Sequence, residues 1–373
     1  MTQLIAHVVG ARPNFMKLAP VALAIADVGL PQRVIHTGQH YSDALSDVFF
    51  RELDLPRPDV NLEVGSGTHA AQTGAVMVAL ERHLLAQPAS LLLLYGDVNS
   101  TLAGALVAAK IGLRFGHVEA GLRSFDRSMP EEINRLVADA LADLLFTTSP
   151  EAEGNLIREG VPNDRIHFVG NPMIDTLLRF RHRFDASAMR RRFGLPETYG
   201  VATIHRPSNV DSPDAARRVA SALVGASREL PIVIPLHPRG REALTGAGLG
   251  NGRSIRIVDP LGYLDFLSLV SGAAVVITDS GGIQEETTIL GIPCLTMRPN
   301  TERPITISHG TNRLVEPEDV VAGVQSSLAN GRAAAHEAPP LWDGHAGERI
   351  AHVVRALEPQ LPDRRFDGAG SGT

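Results

Sequence analysis

The stretch Val275–Met297, VVITDSGGIQEETTILGIPCLTM, decides the fold class of this 373-residue chain. Val275 to Thr278 is a short β-branched apolar run, the pattern of a strand buried on both faces of a parallel sheet. Asp279 and Ser280 follow as N-cap or first-turn residues, and Gly281 and Gly282 let backbone come close to a ligand. Gln284, Glu285 and Glu286 fall in the first turns of a helix. Gly291, Ile292 and Pro293 stop it, and IPCLTM is the next strand. A helix opening on Ser-Gly-Gly presents free N–H groups and the positive end of a dipole, which together attract an anion. The plainer alternative is a glycine-rich turn with no ligand, since short glycine motifs match by chance.

The same strand–helix alternation runs outward from this stretch in both directions. In the first half LIAHVVG, RVIHTG, SLLLLYGD, RFGHVEAG, LLFTTS and RIHFVG are strands. The segments between them, including Asn99 to Ile111 and PEEINRLVADALAD, carry helical spacing, and TGQHYSDALSDVFF leads into a further helix. Asn171 to Thr198 interrupts the pattern with an Arg-rich stretch poor in β-branched residues. From Tyr199 the alternation restarts with GVATIH, PIVIPLH and SIRIVDPLG. The expected fold class is α/β, with two Rossmann-like doubly wound domains and a cleft between them. The expected boundaries are 1–172 and 173–346. A helix over 347–358, with Ile350, Val353, Val354 and Leu357 on one face, packs back on the first domain. Residues 359–373, ending GAGSGT, form a disordered tail.

Composition narrows the function classes. A net charge of −6 with no basic block argues against nucleic acid as a partner. The longest apolar runs, such as Ser90 to Tyr95, are too short to span a bilayer, so no membrane partner is expected. Cys294 is the single cysteine, which rules out an intrachain disulfide and fits a reducing, cytoplasmic setting. The opening MTQLIAHVVGARP lacks the basic start and cleavage site of a signal peptide.

In doubly wound sheets ligands gather at the carboxyl ends of the strands. Asp97, Glu119, His205, His237 and Ser280 each end a strand, and Arg12 and Lys17 follow the first one. Each alone is as readily an N-cap, a surface carboxylate or a loop histidine. Together they sort by job. Arg12, Lys17, His205, Arg206 and Arg303, with the Ser280-Gly281-Gly282 turn, suit a diphosphate. Asp97, Glu119 and Glu131 suit acid–base work. Glu131 opens the PEEINR helix with Arg135 one turn later on the same face, a spacing that also fits a simple helical salt bridge. No HExxH, cysteine pair or P-loop is present, so no metal is expected.

In order from residue 10 to 304 stand GARPNFMKLAP, TGQHYSDAL, YGDVNST, GHVEAGLRS, PEEINR, VGNPMIDTL, TIHRPSNVD, PLHPR and TDSGGIQEETTILGIPCLTMRPNTERP. In these stretches the chain resembles the non-hydrolysing UDP-N-acetylglucosamine 2-epimerases, a family of glycosyltransferase-B-like fold. The resemblance implies that Arg12, Lys17, Asp97, Glu119, His205, Ser280, Gly281, Gly282, Glu286 and Arg303 contact a UDP-sugar. It places the catalytic groups on Asp97, Glu119, Glu131 and His205, and Glu286 on the uridine ribose. His237 joins the substrate-binding set, and Phe266 packs near the uracil. A homodimer is implied as well. The sequence departs from the family at several points. Gly10-Ala11-Arg12-Pro13-Asn14 replaces the common GTRPE, and the SFDRSM segment is shorter than in some members. Leu261 stands where many members have Gln, and Ser42 stands where some use a Gln to bind a second substrate molecule as activator.

The chemistry implied is epimerisation at C2. That C–H is not acidic, because no carbonyl lies beside it. The family's route expels UDP from C1 while a base takes the C2 proton, giving 2-acetamidoglucal, and then adds UDP back with protonation on the other face. It calls for cations and helix N–H groups to stabilise the leaving group, and for two proton carriers, but for no cofactor. A 2-epimerase of a diacetamido uronic acid nucleotide, a glycosyltransferase of the same fold, a hydrolysing relative and a non-catalytic nucleotide-sugar sensor remain as alternatives.

Overall fold

The structure, a computed structural model, describes residues 4–38, 52–55, 57–236, 238–251, 254–332 and 337–357. The helix expected in TGQHYSDALSDVFF, His237, Ser42 and the tail 359–373 lie outside the described residues. The chain forms two compact units. The first combines the chain up to Thr176 with the segment from Pro340 onward, and the second is Leu177–Pro339. The division falls inside the helix Pro172–Phe180.

The first unit is built on a seven-stranded sheet. Its strands are β1 (Ile5–Val9), β2 (Gln32–His36), β3 (Val60–Asn61), β4 (Leu91–Tyr95), β5 (Phe115–Ala120), β6 (Leu144–Thr147) and β7 (Ile166–Phe168). They lie in the order β3-β2-β1-β4-β5-β6-β7, and every pairing is parallel. The all-apolar LLLLY of β4 is buried along its whole length, as a central parallel strand must be. The core gathers Val8, Leu92, Leu94, Phe115, Ala138 and Leu145 from strands and helix.

The second unit carries β8 (Gly200–Thr203), β9 (Ile232–Pro235), β10 (Ile255–Val258), β11 (Val275–Thr278), β12 (Cys294–Thr296) and β13 (Asn312–Leu314). Their order is β10-β9-β8-β11-β12-β13, again all parallel. Both sheets therefore share one wiring: three strands run outward one way, and the fourth returns beside the first. The point of reversal falls between β1 and β4 in one unit and between β8 and β11 in the other.

Several elements escaped the sequence reading, the helix Val320–Asn330 among them. β3 and β13 are edge strands of two and three residues, too short for an alternation pattern. The helix Pro238–Gly246, PRGREALTG, opens on Pro and holds two glycines, so its sequence resembles a loop.

The helix Ala346–Ala356 belongs to the first unit, where it packs on the first helix, Arg12–Asp27. Ile350, Ala351 and Val354 are buried there. Its N-terminus is tied by a bond from Gly347 N to Asp175 Oδ2 at 2.7 Å, and Trp342 Nε1 donates to Thr148 O at 2.8 Å. Among the described residues no helix is long and apolar enough to cross a membrane.

Candidate active site

In the first unit the chain leaves β1 through Gly10 and Ala11 and enters the helix Arg12–Asp27. Arg12 occupies the first helical position, and its side chain lies outside the described residues. Asn14 is buried and stitches the reversal together. Its Oδ1 accepts from Gly10 N at 3.1 Å and Ala11 N at 3.0 Å, and its Nδ2 donates to Tyr95 O at 2.8 Å. A carboxylate in this place could accept the first two bonds but not donate the third. Asn14 thus supplies a donated bond between the ends of β1 and β4.

Lys17, nearly two turns into the helix, reaches Glu119 through a direct Nζ–Oε2 ion pair, and both side chains are buried. Glu119 stands at a register shift in β5 with φ +76°, a left-handed conformation unusual for a non-glycine residue. At this irregularity its carboxylate meets Lys17 and lies beside Gly96. Gly96, between β4 and Asp97, has φ +65°, and a Cβ there would lie 2.7 Å from Lys17 Nζ and 3.2 Å from Glu119 Oε2. Only glycine fits beside this pair.

Asp97 follows, with its side chain 23% exposed, and Arg135 Nη1 donates to its Oδ2 at 2.5 Å. Arg135 is itself buried and gives Nη2 to Glu132 Oε2 at 2.5 Å. The salt bridge weighed for Glu131 and Arg135 therefore forms with Glu132. Glu132 is committed because Ser124 N, Ser124 Oγ and Phe125 N also donate to its carboxylate. Burial pushes that carboxyl up, but the bonds from Arg135 and Ser124 outweigh it and hold Glu132 below its ordinary range. Glu131 is half-buried and has no hydrogen-bond or ion-pair partner among the described residues.

A second buried layer supports this end of β5. His117 Nδ1 lies 2.6 Å from Asp139 Oδ1, and its Nε2 donates to Gly96 O at 2.8 Å. Asp139 also accepts from Gly121 N and from Arg123 Nη1 at 2.7 Å. Burial opposes ionisation of Asp139, and the facing His117 and Arg123 overcome it, leaving its carboxyl below the usual range. Sequence reasoning missed His117 and Asp139, because an interior strand histidine and a mid-helix aspartate show no local pattern.

In the second unit the reversal point is formed by β8 and β11, where Thr203 and Thr278 are in register and their hydroxyls lie 2.7 Å apart. Ser280 is the N-cap of the helix Gly281–Leu290 with extended backbone, yet its side chain makes no capping bond. The helix N-terminus is thus not closed by its own cap. Asp279, expected as a cap, instead faces the loop after β8. It accepts from Arg206 N at 2.9 Å, from Asn209 Nδ2 at 3.0 Å and from His205 N at 3.1 Å. His205 Nδ1 lies 2.7 Å from Asp279 Oδ1. Burial pushes the Asp279 carboxyl up, and these donors pull it below the usual range.

Arg303 lies against the same helix start, because a Cβ at Gly281 would meet its Nη1 at 2.5 Å. The guanidinium is buried between two carboxylates, with Nε 3.0 Å from Glu285 Oε1 and Nη1 bonded to Glu302. Arg298 pairs with Glu302 at 2.6 Å. The loop carrying Arg303 is held by Gln284, whose Oε1 accepts from Thr301 Oγ1 at 2.7 Å and Asn312 Nδ2 at 3.0 Å. Glu286 is buried beside Tyr263; burial and the neighbouring Glu285 push its carboxyl up to about 8, partly offset by a bond from Tyr263. Phe266 is half-buried and packs with Leu261 and Ile283 on one side of the unit's core.

The first reversal point therefore holds Lys17, Asp97, Glu119 and Arg135 on one rim, and the second holds His205, Ser280, Gly281, Gly282, Glu286 and Arg303 on another. A pair of carboxylates with cations at hand can move protons, and an uncapped helix start beside an arginine can receive a phosphate.

The sequence model of the UDP-N-acetylglucosamine 2-epimerase family matches residues 24–355. A UDP-N-acetylglucosamine 2-epimerase of Methanococcus maripaludis is 38% identical over 93% of this chain and 97% of its own. A UDP-2,3-diacetamido-2,3-dideoxy-D-glucuronate 2-epimerase of Pseudomonas aeruginosa is 37% identical over 94% of this chain and 99% of its own. The crystal structure of the UDP-GlcNAc 2-epimerase of Methanocaldococcus jannaschii, in complex with UDP-GlcNAc and UDP, superposes with a TM-score of 0.88 at 38% identity. It covers 95% of this chain and 100% of that one. With the family model matching most of the chain and relatives covered almost end to end, the chain belongs to the UDP-N-acetylglucosamine 2-epimerase family.

Proposed function

We propose that the chain interconverts UDP-N-acetylglucosamine and UDP-N-acetylmannosamine by epimerisation at C2. The observation that carries this reading is the likeness, over nearly the whole chain, to the M. jannaschii enzyme whose structure holds UDP-GlcNAc and UDP. In this reading the second unit binds UDP. The start of the helix Gly281–Leu290 and Arg303 take the diphosphate, Glu286 takes the ribose, Phe266 lies near the uracil, and His205 faces the leaving group. The first unit supplies proton carriers in Asp97, Glu119 and Glu131, with Arg12 and Lys17 as cations, and His237 completes the substrate-binding set.

In the first step a base takes the C2 proton while the C1–O bond breaks. That bond's electron pair leaves with UDP, and C1=C2 forms as 2-acetamidoglucal. In the second step a UDP oxygen bonds to C1 while a proton reaches C2 from the opposite face. The buried Lys17 and Arg135 keep carboxylates in fixed places through both steps, so little reorganisation is spent as charge shifts.

Incubation with UDP-GlcNAc in deuterium oxide tests the proposal. UDP-N-acetylmannosamine carrying deuterium at C2 is the expected product. Free N-acetylmannosamine, or a product without C2 deuterium, overturns it. A second reading, epimerisation of the UDP-diacetamido-glucuronate sugar, is favoured by the P. aeruginosa relative. Turnover of that sugar with none of UDP-GlcNAc decides for it. We also propose a cytoplasmic homodimer, on the resemblance alone; a monomer mass by light scattering removes the dimer.

A further inference from the structure

We infer that Asp279 is a positioning residue for His205, holding the imidazole by Nδ1 and turning Nε2 outward as the nitrogen that meets substrate. This deepens the epimerase reading and rests on it. The Asp279 side chain is fully buried at the end of β11, while that of His205 is 64% exposed. The ring is thus anchored on one side and open on the other.

Every contact of the Asp279 carboxylate is with a donor: His205 N, Arg206 N, Asn209 Nδ2 and the His205 ring. A carboxylate so surrounded accepts and does not donate, so the nitrogen facing it is the one that bears hydrogen. Nε2 then holds the lone pair in the neutral ring and the second N–H in the charged one. In either state its direction is the same. The backbone N–H bonds from residues 205 and 206 fix the Cα of His205 by the same carboxylate, which sets both ring position and ring rotation. A third group that orients a base is the geometry in which imidazoles act as proton carriers.

The competing account makes Asp279 only an anchor for the loop 205–209. Asn209 separates the two, because it bonds Asp279 Oδ2 and Met297 O and leaves the Nδ1 contact untouched. The full-length protein, labelled with nitrogen-15 histidine, is examined by long-range proton–nitrogen correlation at mildly alkaline pH, with the His205 signals identified by their loss in His205→Asn. The Nδ1–H tautomer is expected for His205 in the wild type, and an Nε2–H ring overturns the inference without any variant. Asp279→Asn is expected to lower kcat at least about 100-fold with UDP affinity nearly unchanged. Asn209→Ala, losing one neutral bond worth about 1 kcal/mol, is expected to lose less than about fivefold. Equal losses in the two variants overturn the positioning role. Failure of the epimerase reading shows separately, as absent C2 deuterium with the wild type, and leaves the tautomer measurement standing.

Discussion

The two reversal points share one strand order and differ in chemistry. Between β1 and β4, cations and carboxylates meet in pairs: Lys17 with Glu119, and Arg135 with Asp97 and Glu132. Between β8 and β11, a helix start is left uncapped, an arginine lies against it, and an exposed histidine leans on a buried aspartate. The doubly wound topology thus fixes where a site forms, and the side chains at the strand ends fix what it does. In the first unit both cations already meet carboxylates before any ligand arrives, with Arg135 shared between two. In the second, partial positive charge at the helix start remains available for an anion.

Breaking a pair in the first unit has the largest expected effect. Glu119→Gln strands a buried Lys17 ammonium, at a cost of about 3–5 kcal/mol in urea unfolding. The double variant Lys17→Met with Glu119→Leu recovers most of that stability and none of the turnover. If Glu119→Gln unfolds at the wild-type midpoint, the pair contributes little and the contrast between the two ends weakens.

Next in size is the loss of proton transfer. Asp97→Asn and Glu131→Gln are expected to turn over at least about 100-fold more slowly while binding UDP almost as before. Because Asp97 is part-exposed and Arg135 keeps Glu132, stability should change little. A variant that still eliminates but cannot reprotonate correctly leaks 2-acetamidoglucal and UDP. Wild-type exchange of the C2 hydrogen in Asp97→Asn, Glu119→Gln and Glu131→Gln alike would make these carboxylates structural.

Arg303→Ala in the second unit should weaken UDP binding by about 1.5–3 kcal/mol, the worth of a charge-assisted bond, as read by calorimetry. Arg303→Lys should recover part of this, since charge returns without the two-pronged geometry. Unchanged affinity in Arg303→Ala would assign the residue to the Glu285–Glu302 cluster alone.

The most gradual effect concerns pH. Glu286 is pushed up to about 8, above the ordinary carboxylate value. A raised folded-state value means its contribution to stability is full below that ordinary value and is lost as pH rises through about 8. The loss is at most about 1.4 kcal/mol per pH unit. Glu132 and Asp139 in the first unit are held low, so theirs is lost in acid instead. Glu286→Gln should flatten the fall in stability between the ordinary carboxylate value and about pH 8, and leave the acid limb set by Glu132 and Asp139 as it was.

How far the sequence revealed this depends on the range of the interaction. Val275–Met297 was legible because strand, turn, helix and strand follow one another locally, and the repeated alternation pointed to parallel sheets. The strand-end rule brought Asp97, Glu119, His205 and Ser280 to notice. Partners distant in sequence were not legible. Glu131 and Glu132 are both spaced to meet Arg135. The choice falls to Glu132 because the N–H groups of Ser124 and Phe125 commit its carboxylate. Asp279 has the residue type of an N-cap, and only the pairing of β8 with β11 brings His205 to it. Gln284 gave no signal either, since its partners Thr301 and Asn312 come from a loop and an edge strand.

The docking of the helix Ala346–Ala356 on the helix Arg12–Asp27 has a consequence in time. The first unit is assembled from both ends of the chain, whereas the second is continuous from Leu177 to Pro339. On the ribosome, residues 177–339 emerge complete and can bury their core while the helix that seals Arg12–Asp27 is still unmade. Most of the first unit is made before the second, but the second is the first to have all its parts, and Asp175 waits for Gly347 until after the second unit is made.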